Sequence, residues 1–289
     1  MDQQREFVVE GELSSPEAPK KKKARWWVIL IDAVMITVFL LSIAASSGVI
    51  YLSATYDVPF YVNGMSMYPT LNATAVNAQG KQLSWYNGSN SVGDKVDYGY
   101  AKSFNPETDT LSRYDVVITY YPSDFKRDLI GDFVRDSDGK LILLSGHKTK
   151  IKRVIGLPGE SVSFDTVEDD TEMYNRAWGK TTINLGLENE QILKPLYTVD
   201  DFPSVDGRTY NFPQYSYGPT LLKEHQYYVM GDNRGQGYSS DSREVGPILD
   251  EMIVAKAELI VGLRTLDAEM TPGSPWEYIF TPWNFRRLG

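Results

Sequence analysis

The chain has 289 residues, 42% of them hydrophobic, a formal net charge of −9 and no cysteine. That length supports one large domain or two small ones with a buried core. The acidic balance argues against a nucleic-acid binder, and the lack of cysteine excludes a disulfide framework or a thiolate metal site. The two histidines, His147 and His225, stand far apart in no metal-ligand spacing, so neither a metal nor another cofactor is expected.

Residues 1–25 form a polar, acidic tail that ends in a basic run, Lys20 to Lys23 and Arg25. Such a composition predicts disorder. Residues 26–52 follow as an almost unbroken apolar stretch, interrupted by Asp32. The stretch exceeds the roughly 20 residues that cross a bilayer, and Trp26, Trp27 and Tyr51 sit near its ends, where interfacial aromatics belong. The basic flank places the N-terminus in the cytoplasm by the positive-inside rule, and residues 53–289 outside. A cleavable signal peptide is the competing reading. Ile43-Ala44-Ala45-Ser46-Ser47 supplies its small residues, but its apolar core should be only roughly 7 to 15 residues long. Asp32 is read as reaching the membrane interface.

Beyond this stretch helical periodicity is scarce. The runs 114–121, 141–144, 150–155, 227–230 and 253–261 are short, rich in Val, Ile and Tyr, and mostly separated by Gly, Pro, Asn or Asp. They predict strands and turns, hence a mostly β domain. Two long polar stretches, 72–113 and 161–222, read as loops or β-ribbon insertions, the second as a β-rich inserted subdomain. No internal repeat is evident. The aromatic run 276–285 is read as packing on the domain, with an interfacial contact as the alternative.

Ser66 lies in Gly64-Met65-Ser66-Met67-Tyr68-Pro69-Thr70. Pro69 disfavours helix at Tyr68, and Gly64 permits an unusual dihedral or a close backbone approach, so the serine sits near a chain bend. This is not the Gly-x-Ser-x-Gly elbow, because position 68 is tyrosine. A serine nucleophile needs a base. His147 and His225 lie in no recognisable triad motif, which leaves an unprotonated lysine. Lys148, Lys150 and Lys152 alternate with Thr149, Ile151 and Arg153, so a strand places all three lysines on one face. The residues alone favour none of the three, and a solvated basic strand fits them equally. Gly156-Leu157-Pro158-Gly159 then ends the strand in a tight turn. A third stretch, Gly231-Asp232-Asn233-Arg234, follows Tyr227-Tyr228-Val229-Met230 and reads as a strand entering a loop, which Ser239-Ser240-Asp241-Ser242-Arg243 closes.

Together the three stretches resemble the motif set of type I signal peptidases. The resemblance implies an antiparallel β catalytic domain of signal-peptidase type, with β-ribbon insertions, behind one N-terminal transmembrane helix. It implies a membrane-bound serine endopeptidase that removes signal peptides from exported preproteins through an acyl-enzyme. It selects Ser66 as nucleophile and Lys152, immediately before Arg153, as general base. Its implied partners are secretory preproteins, with small residues one and three positions before the cut, and the lipid bilayer of a bacterial cell membrane. Neither nucleic acid nor metal is implied.

In the family pattern a serine two residues before the aspartate of the last stretch hydrogen-bonds the lysine. The loop here is two residues longer than usual, which leaves both Ser239 and Ser240 as candidates. Asp232, Arg234, Asp241 and Arg243 are read as holding the loop through ion pairs. Gly64 stands where some members place a serine hydroxyl, so the backbone N–H of Ser66 is the expected oxyanion donor. Arg113-Tyr114-Asp115-Val116-Val117-Ile118 resembles the remaining family box, with Tyr114 where glycine is usual, and is read as scaffold.

The mechanism makes a physical demand. A free lysine has a pKa of roughly 10.4 and is charged at neutral pH. Lys152 is therefore expected to be buried among apolar side chains, within reach of Ser66 and without a carboxylate partner, while Lys148 and Lys150 are exposed. Phe60, Tyr61, Met65 and Met67 are expected in the core, in substrate pockets or against lipid. Three other functions compete: an enzyme dedicated to a few clients such as pilus subunits, a soluble serine–lysine autoprotease of the SOS repressor type, and a non-catalytic membrane-anchored binding module. The apolar span and the acidic charge speak against the soluble autoprotease.

Overall fold

The computed structural model describes residues 26–86, 90–166, 176–205, 207–266 and 286–288. The basic run before Trp26 and the aromatic run 276–285 lie outside these residues. The chain divides into two compact units, Met1–Leu52 and Ser53–Gly289.

The first unit is described through α1 (Trp26–Thr55), whose residues from Trp26 to Gly48 are all exposed. Those 23 residues, with mean hydropathy 2.6, make a helix long and apolar enough to cross a membrane. Its hydroxyls are satisfied within the helix: Thr37 Oγ1 donates to the Ala33 carbonyl and Ser42 Oγ to the Val38 carbonyl, each at 2.8 Å. A hydrocarbon environment requires that local pairing.

In the second unit the described strands are β1 (Val58–Tyr61), β2 (Lys95–Ser103), β3 (Val116–Thr119), β4 (Lys150–Gly156), β5 (Ser161–Asp165), β6 (Lys180–Ile183), β7 (Gln191–Ile192), β8 (Tyr217–Leu221) and β9 (Gln226–Met230). The short helix α2 (Ser242–Val245) precedes β10 (Ile248–Leu249), β11 (Ile253–Thr265) and β12 (Arg286–Arg287). The larger sheet has the order β1-β2-β11-β3-β4-β9-β10, with β12 beside β11. The smaller has the order β7-β6-β5-β8. The pairings in both are antiparallel, as expected from short β-branched and aromatic runs joined by turns.

Alternation along the strands builds the core on two faces. In β3, Val116 and Ile118 join Phe60, Met67, Ala255 and Ile260, while Val117 joins Val154, Val229 and Ile253. β11 carries register shifts at 257/259 and 260/262, and such bulges bend a strand and increase its twist. The sheet curls accordingly: β1 and β4, three strands apart in the order, line one cleft whose floor holds Tyr98, Ile118 and Val254. The smaller sheet lies wholly between Ser161 and Leu221, and packs Phe164, Ile183 and neighbouring Leu222 against Ile155, Tyr228 and Met230.

Three expectations need correction. The stretch 72–113, read as loops or β-ribbon insertions, carries β2, a nine-residue strand between β1 and β11 within the larger sheet itself. Residues 141–144 form isolated bridges to Arg135 and Phe125 rather than a strand. A local repeat is also present. Arg127 donates to the Gly131 carbonyl at 2.6 Å and Arg135 to the Gly139 carbonyl at 2.7 Å. Asp128 and Asp136 cap the same backbone N–H positions in each turn.

Candidate active site

β1 leads directly into the serine loop. Gly64 adopts φ 106°, a conformation that favours glycine. The Tyr68 N–H then donates to the Met65 carbonyl at 3.1 Å and the Leu71 N–H to the Met67 carbonyl at 2.9 Å. Met65 and Met67, 2% and 0% exposed, enter different core clusters, one with Trp85 and Tyr210 and the other with Phe60 and Leu71. Neither methionine can therefore touch lipid. Their opposed anchoring leaves the half-buried Ser66 facing the cleft between them.

Two asparagines fix this loop from behind. Asn72, at φ 64°, donates from Nδ2 to the Val62 and Gly64 carbonyls, both at 2.8 Å. Its backbone N–H donates to Oδ2 of the buried Asp97 at 2.6 Å, and the Asp97 N–H donates to Asn72 Oδ1 at 2.8 Å. The Asn233 N–H donates to the Ser66 carbonyl at 3.0 Å, and its Nδ2 to the Met65 and Trp85 carbonyls at 3.1 and 2.8 Å. Gly231 permits this approach, because a Cβ there would stand 2.4 Å from the Ser66 carbonyl oxygen and 2.2 Å from Ser239 Oγ.

Lys152 enters from β4, opposite Val117 in the register with β3. It is 3% exposed, and its Nζ lies 2.9 Å from Ser66 Oγ while donating to the Ile151 carbonyl at 3.0 Å. Burial pulls its pKa down to about 8, with Lys150 and Arg243 acting in the same sense and the charges of Asp241 and Asp232 opposing. No carboxylate among the described residues lies within ion-pair distance of it. Lys148 is exposed, whereas Lys150 is half-buried and donates to the Lys148 carbonyl at 3.0 Å.

The third stretch closes the wall behind the pair. Ser239 is buried and its Oγ donates to Asp241 Oδ2 at 2.8 Å, whereas Ser240 is exposed and its carbonyl accepts from the Tyr121 hydroxyl. Asp241 also accepts from the Gly231 N–H at 2.9 Å and from Arg243 Nε at 2.8 Å. Burial alone would raise its pKa; the Arg243 charge and these hydrogen bonds outweigh burial and hold it below the ordinary carboxylate value.

Of the four charged residues expected to hold the loop through ion pairs, Asp241 and Arg243 pair with each other, whereas Asp232 finds its partner outside the loop. Asp232 is bound by Arg153, through Nη2 and Nε at 2.8 Å each, with both residues buried. The cause is strand register: β4 pairs Arg153 with Met230, which delivers its guanidinium to the loop that starts one residue later. Arg234 instead donates from Nε to the Gly231 carbonyl at 2.6 Å and stacks 3.7 Å from the centre of the Trp178 ring. Thr70 of the serine loop hydrogen-bonds both Asp232 and Arg153 Nη2, so the ion pair ties three segments together.

Arg153, Asn233 and Asn72 are thus residues that sequence reasoning quoted or passed over without a role. Asn72 carried one usable signal, since asparagine is among the few residues that tolerate a left-handed backbone. The histidines do not touch Ser66: His147 Nδ1 lies 2.6 Å from Asp124, and His225 Nδ1 lies 2.7 Å from Asp250.

The cleft at Ser66 has a volume of about 620 Å³ and is lined by β1, by residues 147–152 and by Arg264. Among the described residues β1 is an edge strand and β9 pairs with β4 only from Arg153 onward, so both walls present backbone that no described strand pairs. A buried lysine amine against a serine hydroxyl, at the side of such a cleft, can deprotonate that hydroxyl and present it to an extended chain.

Comparison with known proteins places the chain in a family. The family model described as "Signal peptidase, peptidase S26" matches residues 30–262. Signal peptidase I V of Bacillus subtilis (strain 168) is 35% identical over 116 residues, covering 39% of this chain and 60% of that protein. Signal peptidase I of Bacillus amyloliquefaciens is 28% identical over 144 residues, covering 49% and 61%. The chain thus spans about three fifths of the length of these relatives. A crystal structure of a signal peptidase I from Enterococcus faecalis is 22% identical, with a TM-score of 0.30, covering 51% of this chain and 97% of that one. With the family model matching most of its length, this chain belongs to the signal peptidase family, peptidase S26.

Proposed function

We propose that the chain is a membrane-anchored endopeptidase that removes N-terminal signal peptides from exported preproteins, with Ser66 as nucleophile and Lys152 as general base. The observation that carries this reading is the 2.9 Å approach of a buried lysine amine to a cleft-facing serine hydroxyl. Neutral Lys152 accepts the Ser66 proton as Oγ attacks the scissile carbonyl. The N–H of Ser66, which has no acceptor among the described residues, meets the oxyanion. The tetrahedral intermediate then collapses: the C–N bond breaks, and the Lys152 ammonium gives its proton to the leaving amine. Water, deprotonated by Lys152, hydrolyses the ester and frees Ser66.

The substrate chain is read as extended, bonded to the open edges of β1 and β4, with its small side chains over the apolar floor of Ile118, Ile151 and Val254. Of the two serines considered, Ser239 is the buried one, but its hydroxyl donates to Asp241 and not to Lys152, so its support for the lysine is indirect. The basic run before Trp26 supports a cytoplasmic N-terminus and an extracytoplasmic catalytic unit.

The test is cleavage of a preprotein with an Ala-x-Ala site by the detergent-solubilised full chain, beside Ser66→Ala and Lys152→Ala. Cleavage lost in both variants supports the pair; cleavage surviving Lys152→Ala means another base. No cleavage by folded wild type moves the reading to a narrow-client enzyme or a binding module. A pH profile adds a second check. Because the base must be neutral, kcat/KM is expected to rise with pH through about 8 and then level off. At pH 7 about a tenth of the molecules carry the neutral amine. A profile centred near pH 6.5, the ordinary histidine range, would instead assign the base to a histidine.

A further inference from the structure

We propose that this cleft selects preproteins carrying an aspartate or glutamate within about five residues of the scissile bond, held by Lys148 and Lys150. The inference rests on the endopeptidase reading above. The chain as a whole is acidic, with a formal net charge of −9. The cleft is the reverse: its lining holds Lys148, Lys150, Lys152 and Arg264, with His147 on the same wall, and no aspartate or glutamate among the described residues. Two buried carboxylates of the unit already have partners. Asp124 is buried 2.6 Å from His147, and Asp241 is buried against Arg243.

The four cations differ in what they offer a ligand. Lys152 acts only when neutral. Arg264 is buried, with its guanidinium 5.4 Å from the centre of the Tyr61 ring. Lys148 is exposed and Lys150 half-buried, 5.9 Å from the Tyr121 ring centre, and neither has a carboxylate within ion-pair distance among the described residues. Each ammonium has three donors, and the hydrogen bond from Lys150 to the Lys148 carbonyl leaves donors to spare. Cations of one sign along a cleft attract an anionic ligand and stabilise it once bound. At about 3.4 Å per residue, Lys150 stands about 7 Å from Lys152 along β4, matching an extended peptide two residues from its cut, and Lys148 lies just beyond the start of that strand. Lys150 also acts on Lys152, since its like charge favours the neutral amine. The test must separate that effect from selectivity.

The full-length chain in detergent is assayed on peptide pairs that share an Ala-x-Ala site and differ by Glu or Gln at one position, two to five residues to either side of the cut. Wild type is expected to favour Glu at one or more positions by about two- to fivefold per lysine in dilute buffer. That preference should fall toward one at about 0.5 M salt. Lys148→Gln and Lys150→Gln should each lower the Glu-to-Gln ratio, and the double variant should bring it near one. Lys140→Gln, an exposed lysine outside the cleft lining, should leave the ratio in place. A wild-type ratio of one at every position overturns the proposal and leaves the endopeptidase reading intact, because both peptides are still cut. An equal loss on both peptides in Lys150→Gln, with the pH profile moved upward, shows that this lysine only tunes Lys152 and overturns its part. No cleavage of any peptide overturns the endopeptidase reading and this proposal with it.

Discussion

Replacing Ser66 by alanine, or Lys152 by methionine, is expected to lower kcat/KM on a preprotein by about 10⁴-fold or more, the scale on which nucleophile and base variants of serine proteases fall. The two losses should not add, because the hydroxyl and the amine act as one unit; the double variant should be about as slow as either single one. Stability should move the other way for Lys152→Met. A lysine whose pKa drops from 10.5 to about 8 on folding costs about 3 kcal/mol. The sign follows from the proton count. Above the unfolded value the lysine is neutral in both states and the cost is absent; it grows as pH falls toward 8 and is full below that. Methionine keeps the volume and removes the charge, so the variant should be about 1 to 3 kcal/mol more stable at pH 7, with the gain fading toward pH 10.5. Denaturant unfolding at the two pH values, read by tryptophan fluorescence, checks it. A variant both inactive and no more stable at pH 7 would mean that folding does not lower the pKa of Lys152, and would leave it without the neutral amine that a base needs.

What the sequence disclosed, and what it withheld, divides along physical lines. Local features were legible: the apolar run of α1, the β-branched run 150–155 that became β4, and the Gly64 to Pro69 bend at Ser66. Among three alternating lysines, period-two reasoning could not choose Lys152. Only the resemblance selected it, and burial at 3% exposure now sets it apart from exposed Lys148. Features that depend on which strands pair were not legible. β2 hid inside a polar stretch because Asp97, which looks like a surface residue, is buried against Asn72 and Arg286. Arg286 lies almost two hundred positions away, and no window of sequence brings it near. The same holds for Asp232, whose partner Arg153 is delivered by the register between β4 and β9 and not by the motif around it.

Removing one partner of that pair is expected to give the largest loss of stability in the catalytic unit. Arg153 and Asp232 are both buried, so Asp232→Asn leaves a guanidinium charge in the interior without its counter-ion, at a cost of about 3 to 5 kcal/mol. Replacing both, as Arg153→Met with Asp232→Leu, removes the stranded charge and should recover much of that loss, because desolvation of the two ions opposes their attraction in the wild type. Activity should not recover with it. Thr70 hydrogen-bonds both members of the pair, and Asn233, beside Asp232, holds the Ser66 carbonyl at 3.0 Å, so the ion pair fixes where Ser66 stands relative to Lys152. The double variant should therefore fold stably and yet show kcat reduced more than KM is raised, the pattern of a displaced reacting group. The pair Arg135–Glu251 is the contrast. Its side chains are 46% and 28% exposed, and Arg135→Ala should cost under about 1 kcal/mol and leave kcat unchanged. Equal small costs at the two sites would show that solvent reaches Arg153 and that the pair is no clamp. A double variant with full kcat would show that packing alone aligns the serine loop with Lys152.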